Sequence, residues 1–240
     1  MWTLENGSTV HLYTIALPID NDGEDVVNDC ISEAEKERGK RYRSETAART
    51  YIQSHYILRI ILSKYLNCKP CDIEFYFSAR GKPFLAGIRN LFFSISYRQD
   101  YLLVAVSDNS VTGCDLEKIL KPENTDDFLN IYFADDEIMY INSYSTEKDR
   151  LNAMYQLWTM KEAFAKAAGN GIEEKLKNMS FLSFLSEPVN KLLFDHDRIW
   201  HIESWKVNAE HVASFAVESE NLKIKHFNHL DGLSNLVRKS

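Results

Sequence analysis

An α+β fold built as two similar lobes in one chain is the fold this sequence predicts, on three observations. Apolar stretches of strand length alternate with long amphipathic helical stretches, the longest over 51–66 and 151–168. Each half has the same outline of a leading strand, a long helix and terminal strands, although no exact sequence period links them. No Gly-, Ser- or Pro-rich linker separates the halves, so 1–109 and 110–240 are expected to pack as one rigid unit.

The first strand is apolar-rich, covers 10–17 and stops at Pro18. A polar turn at 21–25 follows, with a helix beginning near Asp25. Ser32, with Glu35 three residues on, matches a capping box and opens a basic helical segment containing Lys36, Arg38, Lys40, Arg41, Arg43 and Arg49. In an acidic chain this cluster reads equally as a solvated helix face and as an anion site. It leads into the amphipathic helix 51–66, whose apolar positions include Ile57, Leu58, Ile61 and Leu62. Strands are expected at 73–77, 91–96 and 101–107, with a loop over 80–83 and a turn at 108–110. The second half starts afresh with a strand over 110–117. A polar loop over 121–127 leads to helices at 125–133 and 135–144. The long helix 151–168 then ends at Gly169, a residue that tolerates the left-handed conformation of a helix stop. Strands at 181–185, 191–194, 199–207 and 211–217 close the sheet, and 221–240 reads as a peripheral tail.

Composition bounds the function classes. The 240 residues are 45% hydrophobic and 26% charged, and 13 Phe, 12 Tyr and 4 Trp argue for a filled core rather than disorder. A net charge of -7 argues against broad nucleic-acid binding. No apolar run reaches membrane-span length and residues 1–9 lack a signal-peptide pattern, so the expected compartment is the cytoplasm, with no membrane partner. Of the cysteines Cys30, Cys68, Cys71 and Cys114, only the pair 68 and 71 has redox spacing. That pair follows a helix and precedes a strand, the reverse of the redox arrangement, and no further ligands stand at zinc spacing, so it reads as a turn.

Two stretches carry the chemistry. Asp115 and Glu117 stand two apart on strand 110–117 and project from one face about 7 Å apart. Adjacent carboxylates repel unless a cation lies between them, and oxygen-only ligands suit Mg²⁺. On helix 151–168, Trp158, Glu162 and Lys166 stand four apart in one stripe, bringing a third carboxylate and an ammonium. A metal-binding acid pair with such a helix suggests an enzyme acting on phosphates. Each feature alone has a plainer reading: an ordinary surface i,i+4 pair, a core tryptophan, a solvated strand end.

Gly-x-Asp-x-Glu over 113–117, followed by Trp-x-x-Lys-Glu-Ala-x-x-Lys-x-x-Gly-x-Gly over 158–171, resembles the signature of the 4′-phosphopantetheinyl transferases. Length, lobed outline and Gly81-Lys82-Pro83 make the chain similar, over about 10–217, to the surfactin-synthetase-activating type, a pseudo-dimer in one chain with its active site between the lobes. The resemblance implies transfer of the phosphopantetheine arm of coenzyme A, the donor substrate, to a serine of an apo acyl or peptidyl carrier protein, releasing adenosine 3′,5′-bisphosphate. It implies that Asp115, Glu117 and Glu162 hold Mg²⁺, with Mn²⁺ as an alternative, that Glu162 is also the base for the serine, and that Lys166 neutralises the leaving phosphate. It places Lys161, Lys82 and Ser96 at coenzyme A, Lys40, Arg41, Arg49 and Thr50 near its 3′-phosphate, and Glu137 as a further acid near the site. Residues 1–109 become the nucleotide-side lobe and 110–240 the metal and catalytic lobe of a monomer. One departure stands out: the family's usual Asn-x-Ser-His is Ser94-Ile95-Ser96-Tyr97 here, so Tyr97 takes a coenzyme A-contacting histidine's place without its charge. Two rivals remain: a catalytically weakened homologue that binds carrier protein or nucleotide, and a Mg²⁺-dependent phosphohydrolase with no carrier partner.

Overall fold

Strand β1 (Thr9–Ala16) is buried on both faces, with polar Thr9, His11 and Thr14 buried alongside its apolar residues. Tyr13 and Ile15 enter one core, while Val10 and Leu12 enter another on the opposite face. The computed structural model describes residues 9–18, 27, 29–79, 81–108, 110–169, 174–186, 192–194, 198–219 and 222–228. After β1 come α1 (Glu33–Gly39) and α2 (Glu45–Leu66). The short strands β2 (Phe75–Phe77) and β3 (Pro83–Leu85) then pair as a ribbon, ahead of the hairpin β4 (Leu91–Arg98) and β5 (Tyr101–Asp108).

The second half runs β6 (Thr112–Lys118), α3 (Thr125–Tyr132), α4 (Asp135–Asn142) and α5 (Glu147–Ala168). The short helices α6 (Glu174–Lys177) and α7 (Ser183–Ser186) precede β7 (Leu192–Phe194), β8 (Arg198–Lys206), β9 (His211–Glu218) and β10 (Lys223–Phe227). One sheet has the order β10-β1-β5-β4 and the other β6-β9-β8-β7. In both, the leading strand pairs with the second strand of the later hairpin, and a 22-residue helix intervenes in sequence.

Three cores follow. Ile57, Ile60 and Ile61 of α2 pack with Tyr13, Phe93 and Val104, whereas Met154, Leu157 and Ala163 of α5 pack with Ile202 and Ala216. The third joins the sheets: Leu12, Leu103 and Ala105 meet Cys114, Leu116 and Phe215. At this seam Ser94 Oγ accepts from the Cys114 N–H at 3.0 Å, and Ser96 Oγ accepts from the Leu116 N–H at 3.2 Å. No described helix is long and apolar enough to cross a membrane.

Several expectations change. The basic segment is not one helix: α1 ends at Gly39, where a Cβ would press on the Ile52 side chain at 3.0 Å, and Ser44 caps a new helix. The capping box at Ser32 and Glu35 is present. Expected strand 181–185 is instead the region of α7; Phe181 and Phe184, three apart, both turn into the core as helical spacing allows. The expected tail supplies β10, which pairs in parallel with β1 and returns the chain to the first sheet. The 80–83 loop contributes β3. Cys68 and Cys71 are exposed free thiols flanking and within the short 3₁₀ turn Pro70–Asp72. The helix start near Asp25, Arg80, and Asn170 and Gly171 lie outside the described residues.

Candidate active site

β6, which carries the acid pair, and α5 approach unusually closely, and Gly113 permits it. A Cβ there would stand 2.0 Å from the Ala163 carbonyl oxygen and 2.4 Å from the Ala167 nitrogen. With α5 lying on β6 in this way, the Glu162–Lys166 face meets Asp115. Lys166 Nζ donates to Asp115 Oδ1 at 2.7 Å and to the Cys114 carbonyl at 3.1 Å. Ser96, from the other half, donates to the same Oδ1 at 3.0 Å. The opposite face of β6 turns Cys114 and Leu116 into the inter-sheet core, so strand alternation fixes which side carries the acids. Trp158, at the head of the stripe, packs against Phe128 and Tyr132 at 4.9 and 4.8 Å. That end of the stripe is core; the Glu162–Lys166 end lines a cavity.

The cavity has a volume of about 320 Å³ and draws its walls from both halves. Lys82, Ser94 and Tyr97 line one side, and Glu162, Lys166 and Gly169 the other. Lys82 Nζ also donates to the Thr112 carbonyl at 3.3 Å and to the Lys166 carbonyl, tying the β3 region to the last turn of α5. Burial pulls the Lys82 ammonium down to about 8. Glu162 is pushed up to about 7, first by burial and then by Asp115 and Glu117, with Lys166 opposing. Burial disfavours charge on Lys166, but Asp115 and its other neighbours outweigh this and hold it protonated above the ordinary lysine range. Burial and Asp115 raise the Glu117 carboxyl too, against the pull of Arg98.

Among the described residues no three metal-ligating side chains are already gathered around one point. Glu117 is turned onto Arg98, whose Nε donates to Oε2 at 2.7 Å and whose second nitrogen bonds Oε1. The donor set nevertheless fits a hard dication. Asp115 Oδ2 is buried with no hydrogen-bond partner, and Glu162 lies in the repulsive field of two other carboxylates. All three acids offer oxygen only, which suits Mg²⁺ or Mn²⁺ once Glu117 leaves Arg98.

The expected site residues divide. Asp115, Glu162, Lys166, Lys82, Ser96 and Tyr97 converge at the cavity or directly beneath it. Tyr97 is half-buried and its hydroxyl lies 3.2 Å from that of Tyr42. Lys40, Arg41, Arg49 and Thr50 are not among the cavity's walls: Lys40 pairs with Glu37, Arg49 pairs with Glu45, Arg41 is exposed and Thr50 is buried. Arg38 is the member of the basic run that does line it.

Lys161, expected at coenzyme A, is corrected. It points into the core of its own half, where its fully buried ammonium meets Glu137 Oε2 and the Leu176 and Met179 carbonyls, each at 2.8 Å. Glu137 is likewise engaged there, accepting from the Ala134 and Phe181 N–H groups, so it is no acid of the cavity. On a helix, adjacent positions point about 100° apart, and Glu162 takes the cavity face. Tyr51, His55 and Phe93 also line the cavity and carry no motif; the one signal in the sequence is polar Ser54, His55 and Arg59 set among the apolar positions of the α2 core face.

Comparison with known proteins agrees with the motif. Residues 112–216 match the family model of the 4′-phosphopantetheinyl transferase superfamily, and residues 20–109 match that of a 4′-phosphopantetheinyl transferase N-terminal region. A Bacillus subtilis 4′-phosphopantetheinyl transferase is 30% identical over 164 residues, covering 68% of this chain and 71% of that protein. A Synechocystis sp. protein whose name carries the same activity is 32% identical over 151 residues, 62% of this chain and 61% of its own length. A solved holo-(acyl-carrier-protein) synthase from Bacillus anthracis, in complex with CoA (3′,5′-ADP), aligns at a TM-score of 0.34 and 18% identity over 46% of this chain and 98% of that one, too loosely to bear on the site.

Proposed function

The chain belongs to the 4′-phosphopantetheinyl transferase superfamily, and from that premise we propose that it transfers the 4′-phosphopantetheine arm of coenzyme A to a serine of an apo acyl or peptidyl carrier protein. The observation that carries this reading is the meeting of Asp115, Glu162 and Lys166 with Lys82 at one cavity walled by both halves. The serine Oγ attacks the pyrophosphate phosphorus next to the pantetheine, the bond to the bridging oxygen breaks, and adenosine 3′,5′-bisphosphate leaves. Glu162 lines the cavity beside Lys166 and, in the metal-free fold, is held above the ordinary carboxylate range by burial and its acidic neighbours, so it is the carboxylate we assign to accept the serine proton. Lys166, anchored on Asp115, stands where negative charge develops on the leaving phosphate. Asp115, Glu117 and Glu162 would hold Mg²⁺ or Mn²⁺, which when bound supplies Lewis-acid polarisation of the pyrophosphate.

The repeated strand order supports reading the halves as the duplicated lobes of the surfactin-synthetase-activating type, divided near residue 109 and active as a monomer. Light scattering reporting one chain mass would agree with that; an obligate trimer would count against it. The reaction is tested by incubating the protein with coenzyme A, Mg²⁺ and an apo carrier protein and reading the carrier's intact mass. A carrier gaining the arm, with the gain lost in Asp115→Ala and Glu162→Ala, is the expected result. Phosphate release without carrier modification would favour the phosphohydrolase, and undiminished transfer by Glu162→Ala would remove Glu162 from the chemistry.

A further inference from the structure

Beneath the cavity's first-half wall lies a buried charged cluster that the reaction above does not use. Glu35 of α1 is 4% exposed and Arg59 of α2 is 2% exposed; Arg59 Nη2 donates to Glu35 Oε2 at 2.7 Å. His55 Nδ1 lies 2.9 Å from Glu35 Oε1. Burial opposes the charge on Glu35, but His55, Arg59 and Ser32 outweigh it and hold the carboxyl down at about 2. An ionised carboxylate only accepts, so the Nδ1 of His55 carries the hydrogen and donates. That fixes the imidazole's orientation and leaves Nε2 as its other polar atom.

The His55 side chain is 9% exposed, and that remaining surface belongs to the cavity wall. Tyr51 covers one face of the ring at a centroid distance of 4.2 Å, and Tyr97 meets it edge-on at 6.4 Å. Among the described residues Nε2 has no hydrogen-bond partner, and it is not sealed in as a buried orphan. A histidine fixed from behind by a carboxylate, walled by two aromatic rings and open at one nitrogen is built to meet a ligand.

Resting on the coenzyme A reading above, we infer that His55 is a donor-binding residue, whose Nε2 takes up a proton as a phosphate group of coenzyme A enters and holds that phosphate by a charge-assisted hydrogen bond. The cavity favours an anion: Arg38 stands on the same wall, with Lys82 and Lys166 across from it. The groups facing His55 are Glu35 and Arg38 from α1, Tyr51 and Arg59 from α2 and Tyr97 from β4, with Tyr42 behind Tyr97. Glu35 is neutralised by Arg59, so an incoming phosphate, not Glu35 alone, supplies the unbalanced negative charge that draws the proton. Lys82 and Glu162 also have proton affinities near neutrality and exchange protons on binding, but do so whether or not residue 55 is histidine.

Isothermal titration of the full chain with coenzyme A, in paired buffers of different ionisation enthalpy near neutral pH, reads affinity and proton uptake together. His55→Gln, which keeps an N–H for Glu35, should bind about tenfold more weakly and lose part of the wild-type proton uptake. Repeating the titration with dephospho-coenzyme A assigns the contact: a His55→Gln penalty that vanishes places it on the 3′-phosphate, one that persists on the pyrophosphate. A merely structural histidine would change stability without changing linked protons. If His55→Gln does not fold, imidazole ¹⁵N shifts of the wild-type protein supply the measurement, Nε2 moving to its protonated position on addition of coenzyme A. Equal affinity and equal uptake in His55→Gln, or a static Nε2 in a protein that binds coenzyme A, overturns the inference and leaves the transferase reading standing. Failure of the wild-type protein to bind coenzyme A overturns both.

Discussion

Gly113 opens the acid motif, and the structure gives its absence of side chain a measurable price. In Gly113→Ala the new methyl would lie 2.0 Å from the Ala163 oxygen, 2.4 Å from the Ala167 nitrogen and 3.0 Å from the Lys166 carbonyl carbon. All three are backbone atoms of α5, so no side chain can swing aside. Reaching ordinary contact requires α5 and β6 to separate by roughly 1–1.5 Å, and α5 also packs on β8 and β9. Overpacking usually costs about 1–3 kcal/mol; with backbone on both sides the upper end applies. About 3 kcal/mol lowers Tm by about 6–12 °C in a chain of this size. The same separation pulls Lys166 from Asp115, now 2.7 Å apart, and moves Glu162 off the acid pair. A misplacement of about 1 Å costs about 10²-fold in rate. Thermal unfolding by circular dichroism gives the first quantity, and carrier mass shift at a temperature where both proteins are folded gives the second. Wild-type Tm together with wild-type turnover would refute the close-approach argument.

Three further outcomes follow from the site. Glu162 is raised to about 7 in the metal-free fold from an ordinary 4.5, so its proton is bound more tightly folded than unfolded. Its stabilising contribution is present below the unfolded value and is lost as pH rises through about 7; Glu162→Gln should flatten that part of the metal-free Tm-versus-pH curve, and an unchanged curve refutes the assignment. Lys161→Met strands Glu137 in the core and should cost about 3–5 kcal/mol while leaving the coenzyme A KM unchanged; a raised KM at unchanged Tm would return Lys161 to the donor site. Arg98→Gln frees Glu117 and should tighten Mn²⁺ binding to the apo protein, read by titration of free Mn²⁺; equal or weaker binding refutes competition between Arg98 and the metal.

Local signals in the sequence located most of the elements and picked out side chains that meet at the cavity. Alternation put Asp115 and Glu117 on one face of β6, and four-residue spacing put Glu162 beside Lys166 on α5. What the sequence hid depends on distant partners. β10 has no local mark of its place, because its polar, exposed residues are held by ladder bonds to β1 across the length of the chain. The 181–185 segment is apolar enough for a strand, and only the core it meets selects a helical turn. Lys161 was misplaced because a lysine in a catalytic motif and a lysine sealed onto a buried glutamate look alike until Glu137 is brought alongside. The basic run lies alongside the cavity, but helix breaks at Gly39 and Ser44 decide that Arg38, not Lys40 or Arg49, reaches its wall.

The changed run Ser94–Tyr97 gains a meaning at the seam between the sheets. Ser94 and Ser96 alternate on β4 and both turn their hydroxyls toward β6, where they accept from the Cys114 and Leu116 N–H groups. These N–H groups flank Asp115, so β4 side chains do for this edge of β6 what a neighbouring strand's carbonyls do elsewhere. Ser96 then spends its own proton on Asp115 Oδ1. Lys82 makes a second tie across the same seam, from the β3 region to the Lys166 carbonyl. The acid that anchors Lys166 is therefore positioned by residues of both halves before any ligand arrives. A serine at position 94 is compatible with this work because the hydroxyl accepts one hydrogen bond with no charge required. Tyr97, next in line, contributes no such tie: its hydroxyl faces Tyr42 and its ring stands edge-on to His55. The departure at 94 is thus absorbed by the seam, whereas the departure at 97 falls on the cavity wall, beside the imidazole of His55.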